Sequence, residues 1–275
     1  MRLLAIFLTI WWCSTPLQAQ NTELSRPLTI GEIHTLYSDV LHENRTLNIY
    51  LPQAYDAAKS YPVIYLLDGS MDEDFIHITG LVQFFNLMFG MPDCIVVGIA
   101  NVDRKRDFTH HTDVPDQREK YPQTGHSEEF IRFIADELQP YINHHYKTDG
   151  TRYLIGQSLG GLLASEILLK RPELFTHYLI VSPSLWWGNE VLLKQAPALL
   201  KKHSDQPLYV FISVGKYEEK VMRRDAAALR DVLRKSGLKN LKVDFKEMPD
   251  DNHATILHGA IYEAFKRLFP FNDKG

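Results

Sequence analysis

The chain has 275 residues, 45% of them hydrophobic and 23% charged, with a formal net charge of −4. Those values suit one soluble α/β domain with a sizeable core. Mild acidity without a basic block argues against nucleic acid as a partner.

Residues 1–19 read as a separate object. Arg2 supplies a positive start, an apolar run extends from Leu3 to Cys13, and a polar exit ends at Ala19. The pattern predicts a signal peptide cut near Ala19, too short for a comfortable membrane span, and hence a periplasmic or secreted domain over 20–275. After that cut Cys94 is the one cysteine left, so the fold has no internal disulfide to rest on. Cys94 sits in an apolar strand-like run and reads as a buried structural thiol.

Residues 28–38 and 45–52 alternate as strands, with a turn at Glu43-Asn44 between them, and predict an antiparallel hairpin. Residues 61–67 are continuously apolar, as in a strand buried on both faces. A helix is expected over 75–89, stopped by Gly90-Met91-Pro92, and a buried strand over 93–100. Residues 101–126 lack periodicity and read as a long loop at a strand's carboxyl end, a candidate pocket wall. Ser127 opens a helix to about residue 146, with Glu128 and Glu129 in its first turn and Pro140 placed to kink or divide it. Further strands are expected over 177–184, 208–214 and 241–248, alternating with helices over 190–202, 220–235 and 254–269. Alternation of this kind predicts a mostly parallel central sheet with helices on both faces.

The organising stretch is 151–161. Tyr153, Leu154 and Ile155 form a short strand; Gly156-Gln157-Ser158-Leu159-Gly160 spell G-x-S-x-G; apolar residues at helical spacing follow from Leu162. Strand, tight turn and helix with serine at the apex is the context of a nucleophile elbow. A serine hydroxyl needs a base to become a nucleophile. His253, between the last strand and the last helix, is the best placed of twelve histidines; His258 falls inside the helix and reads as packed or surface. The acid that orients the imidazole is expected at Glu218, after the preceding strand, with Glu219 its nearest rival and Asp250 and Asp251 less favoured because they share the histidine's loop. The order Ser158, Glu218, His253 is that of an α/β-hydrolase. Two backbone N–H groups should hold an oxyanion, from Leu159 and from the turn after residues 61–67, at Ser70. Trp186 and Trp187 suit an aromatic substrate wall, with core packing of one as the plainer alternative. Of the basic run Arg104-Lys105-Arg106, which suits an anionic substrate or a solvated loop, Arg106 is the expected substrate contact. The pairs His110-His111 and His144-His145 lack the carboxylate spacing of a metal site, so no metal is expected.

In their joint order, several segments resemble the putative-esterase family of α/β-hydrolases, in its siderophore-esterase and esterase D-like branch. They are Val63 to Gly69, Arg104 to Asp107, Gly156 to Gly161, Ser182-Pro183-Ser184-Leu185-Trp186-Trp187, Val214 to Glu218 and Asn252-His253. The family also holds feruloyl and acetyl-xylan esterases, S-formylglutathione hydrolase and mycolyltransferases. The resemblance implies the α/β-hydrolase fold and a serine esterase without metal or organic cofactor. Its substrate would be a small-molecule or glycan ester, a siderophore ester or a polysaccharide-linked acyl or feruloyl ester. An acyltransferase using the same residues, a peptidase and a non-catalytic binding protein are the alternatives.

Overall fold

A computed structural model describes residues 25–271; the expected signal peptide, residues 1–19, lies outside them. The described chain opens with β1 (Glu32–Ser38) and β2 (Glu43–Tyr50), the expected hairpin, and continues through β3 (Tyr61–Leu66), α1 (Phe75–Phe89) and β4 (Ile95–Ile99). Next come α2 (Arg104–Phe108), α3 (Pro115–Lys120), α4 (Ser127–Phe133), α5 (Gln139–His145), β5 (Thr148–Gln157) and α6 (Leu159–Lys170). The rest is β6 (His177–Val181), α7 (Trp187–Leu200), β7 (Leu208–Gly215), α8 (Lys220–Arg234), β8 (Leu241–Met248) and α9 (Ile256–Leu268).

Among the described residues the strands form one eight-stranded sheet in the order β1-β2-β4-β3-β5-β6-β7-β8. β2 is antiparallel to β1 and to β4, and every other neighbouring pair is parallel. Period-two alternation divides the core. In β3, Val63 and Tyr65 join the cluster packed by α4 to α8, while Ile64 and Leu66 join the one packed by α1 and α9. Both faces are therefore dry, which is why β3 reads as an unbroken apolar run. The chain leaves β3 to pair β4 on one side and returns through β5 on the other. Loops diverging from such a reversal leave a crevice at the strands' carboxyl ends.

One expectation needs correction. Residues 101–126 are not one irregular loop. The Asp103 carboxylate accepts the Arg106 N–H at 3.0 Å and caps α2, Pro115 sits at the start of α3, and His110 bridges to His126. These caps were readable, but they launch helices of five and six residues, too short to show an apolar period. The helix from Ser127 is divided, as Pro140 suggested, by a π-helical turn at Ile134–Leu138. Pro140 has no N–H to return to the carbonyl four residues back, and the widened turn absorbs the mismatch. Cys94 is buried, and burial pushes its thiol pKa up, which suits a packing role.

Candidate active site

The β5–α6 turn puts Ser158 at φ 59°, ψ −116°, a conformation that costs an L-residue on the order of 1–3 kcal/mol. The glycines beside it permit the close approach. A Cβ on Gly156 would lie 2.4 Å from the Gly160 carbonyl oxygen, and one on Gly161 would lie 2.9 Å from that of Val181. Gly160 is looser, since its added Cβ would meet nothing nearer than 3.3 Å. A strained serine held by packing on both sides of the turn presents its Oγ above the sheet rather than into it.

Two loops from neighbouring strands bring partners to this hydroxyl. His253, after β8, places Nε2 3.0 Å from Ser158 Oγ, and its Nδ1 lies 2.8 Å from Glu218 Oε2. Nδ1 faces a carboxylate and so carries the ring proton, which leaves Nε2 to accept from the serine hydroxyl. The Glu218 side chain is fully buried at the end of β7, whereas His253 is 46% exposed. Burial alone would raise the Glu218 pKa. Hydrogen bonds from His253, Ser182 and the Gly215 N–H outweigh that and hold it below its ordinary value of 4.5. Glu219 lines the same cleft but is exposed and makes no bond to His253; Asp251 instead accepts from Thr255 Oγ1 at 2.8 Å.

The turn after β6 touches both ends of this chain of bonds, a role not singled out from the sequence. Ser182, at φ 44°, donates its hydroxyl to Glu218 Oε1, which also accepts the Gly215 N–H at 2.8 Å. Ser184 Oγ lies 3.3 Å from Ser158 Oγ, and its N–H donates to the Ser158 carbonyl at 3.0 Å. Gln157 is a free position in G-x-S-x-G, yet its Nε2 donates to the His253 carbonyl at 2.5 Å and so ties the elbow to the histidine loop. A hydrogen bond to a charged group contributes about 1.5–3 kcal/mol, so Ser182→Ala should lower the urea-unfolding free energy by about that amount. A loss below about 0.5 kcal/mol would mean the hydroxyl does not hold the carboxylate.

Leu159 is the first residue of α6, and its N–H sits beside Ser158 at the positive end of the helix. Ser70 lies in the turn after β3, as expected, but its N–H and hydroxyl are directed at Glu73 Oε2, at 3.3 and 2.6 Å. Its N–H is therefore engaged within its own turn. Arg104 binds Asp68 through two nitrogens, at 2.6 and 2.9 Å, and donates to the Gln157 carbonyl at 3.2 Å. The guanidinium clamps the turn after β3 to the elbow.

Two expected substrate contacts fall away. Arg106 pairs with Glu43, at 2.5 and 3.0 Å, and with Asp107 at 2.7 Å, and it does not line the cleft. Trp187 is 2% exposed and donates Nε1 to the His110 carbonyl at 2.8 Å, which makes it core. Trp186 is half-buried and does line the cleft, a space of about 270 Å³ that also holds Ser184 and Met222. His258 is exposed on α9, its ring stacked on His77 with centroids 3.3 Å apart. Among the described residues, no three His, Cys, Asp or Glu side chains gather as a metal-ligand set.

Comparison with known proteins agrees with this architecture. The family model described as "Putative esterase" matches residues 38–266. The chain is 32% identical to ferri-bacillibactin esterase BesA of Bacillus subtilis (strain 168), over 90% of this chain and 92% of that protein. It is 28% identical to a siderophore enterobactin esterase of Emericella nidulans, over 54% of this chain and 57% of that one. An IroE-like serine hydrolase from Shewanella oneidensis superposes with a TM-score of 0.79 at 32% identity, covering 87% of this chain and 80% of the other. A mostly parallel sheet, a serine elbow and a family match across most of its length make this chain a member of the "Putative esterase" family of the α/β-hydrolase fold, a carboxylic ester hydrolase.

Proposed function

We propose that this chain is a secreted or periplasmic serine esterase that opens the ester bonds of a siderophore by a Ser158–His253–Glu218 mechanism. The observation that carries the mechanism is the unbroken hydrogen-bonded line from Ser158 Oγ through His253 to Glu218. Ser158 Oγ attacks the ester carbonyl while His253 Nε2 takes its proton, and Glu218 stabilises the imidazolium. The Leu159 N–H holds the developing oxyanion, joined by that of Ser70 once it exchanges Glu73 for the substrate oxygen. His253 then protonates the leaving alcohol and activates a water, which releases the acid from the acyl-enzyme. Trp186 and Met222 offer apolar surface to the acyl group. The half-exposed imidazole and open cleft let a bulky molecule present one ester while most of it stays in solvent.

Export rests on the apolar run and polar exit within residues 1–19. The substrate class rests on BesA, named for a ferri-siderophore and similar over nearly the whole chain. The test is incubation of the mature enzyme with a cyclic tri-ester siderophore, iron-free and ferric, beside feruloyl and p-nitrophenyl esters, with products followed by mass spectrometry. The expected result is ring opening to the linear trimer and then shorter acids. Turnover of feruloyl esters with the siderophore ring left intact would reject the substrate assignment.

A further inference from the structure

Gln157 is the last residue of β5, immediately before the nucleophile, and it bonds outward at two points. Its backbone carbonyl accepts Arg104 Nη2 at 3.2 Å, and Asp68 of the turn after β3 holds that guanidinium. Its side-chain Nε2 donates to the His253 carbonyl at 2.5 Å. A carbonyl oxygen only accepts, so the amide must present its NH₂ there, and the contact requires a donor. One residue thereby joins the elbow to both segments that complete the site, the turn that carries Ser70 and the loop that carries His253.

The histidine loop has little else to fix it against the nucleophile. Asn252, His253, Ala254 and Thr255 are exposed, and the imidazole itself is 46% exposed. The side chains of Asn252 and Thr255 bond within the loop, to the Ala254 N–H and to Asp251 Oδ1, both at 2.8 Å. Among the described residues, the Gln157 amide is what ties the His253 backbone to the strand bearing Ser158. Holding that peptide fixes where the His253 side chain starts. It thus decides whether Nε2 and Nδ1 meet Ser158 Oγ and Glu218 Oε2 together, at 3.0 and 2.8 Å. A misplacement of about 1 Å in such a line can slow chemistry about 100-fold. Building on the Ser158–His253–Glu218 mechanism, we propose that Gln157 is a positioning residue, which sets the general base against the nucleophile through the His253 carbonyl.

The experiment compares Gln157→Met, which keeps the side chain's length without a donor, with Gln157→His, which restores an N–H. Both are made in the intact mature enzyme and assayed on a p-nitrophenyl ester. Gln157→Met should lower kcat about 10- to 100-fold, keep KM within about twofold and leave thermal unfolding unchanged. The low-field proton resonance of His253 Nδ1–H should be lost to exchange in that variant. Gln157→His should recover the resonance and most of the lost kcat. A Gln157→Met enzyme within about twofold of the parent in kcat would overturn the proposal, as would a loss that Gln157→His does not recover. Should Gln157→Met fail to fold, Gln157→Glu decides the matter: its carboxylate opposes the His253 carbonyl, so kcat must fall, and parental kcat would overturn the proposal. Ser158→Ala, assayed alongside, separates the two readings. Parental activity in that variant removes the serine mechanism and this role with it; an inactive Ser158→Ala beside a parental Gln157→Met removes the positioning role alone.

Discussion

Ser158→Ala is expected to lower kcat/KM for a p-nitrophenyl ester by a factor of about 10³ to 10⁶ while leaving the fold intact. The span follows from what survives. Losing the nucleophile removes the acyl-enzyme path, but the Leu159 N–H, the helix terminus and the cleft still bind and polarise the carbonyl. Folding should be unaffected, because alanine keeps the Cβ that already tolerates φ 59°, and the lost contacts are the 3.3 Å bond to Ser184 and the 3.0 Å bond to the half-exposed His253. Thermal unfolding of the variant checks that point, and initial rates check the first. Activity within tenfold of the parent would place the reaction elsewhere.

Glu218→Gln should be nearly as severe, about 10³- to 10⁴-fold in kcat at neutral pH. Both Ser182 and the Gly215 N–H donate to Oε1, so an amide in this place must put its carbonyl oxygen there. Its NH₂ then occupies the Oε2 position, 2.8 Å from His253 Nδ1. Two donors cannot face each other, and the imidazole moves its proton to Nε2, where it can no longer accept from Ser158. The fixed orientation of Oε1 thus turns a near-isosteric change into a tautomer switch. The same carboxylate carries a pH signature. Its pKa is lower folded than unfolded, so its stabilisation is present in full above the unfolded value of 4.5 and is lost as pH falls through the folded one. Urea unfolding below pH 4.5 should show this loss in the parent and not in Glu218→Gln.

The hydrogen-bonded line of Ser158, His253 and Glu218 was largely legible in the sequence because each part is locally encoded. Gly156 and Ser158 lie between a short strand and an apolar helix, and Glu218 and His253 each follow a strand at the sheet edge that β5 shares. The choice between Glu218 and Glu219 was a matter of side-chain direction, which the turn after Gly215 decides by donating to Oε1. Less was legible where contacts join distant segments. Ser182 reaches Glu218 across 36 positions and Gln157 reaches His253 across 96, and no local pattern marks either. Adjacent Trp186 and Trp187 look alike in sequence but point to cleft and core. Arg106 reads as a free cation until Glu43, on a strand formed 63 positions earlier, is found beside it. The Ser70 N–H was assigned by position in the chain, and its bond to Glu73 depends on a turn geometry that residue identity does not encode.

The most direct test of Ser158 as the nucleophile is covalent capture. The mature enzyme, treated with a fluorophosphonate and analysed by intact-mass and peptide mass spectrometry, should gain one adduct, on the peptide containing Ser158, and Ser158→Ala should gain none. An adduct on another residue, or an active enzyme that takes up no label, would contradict the account.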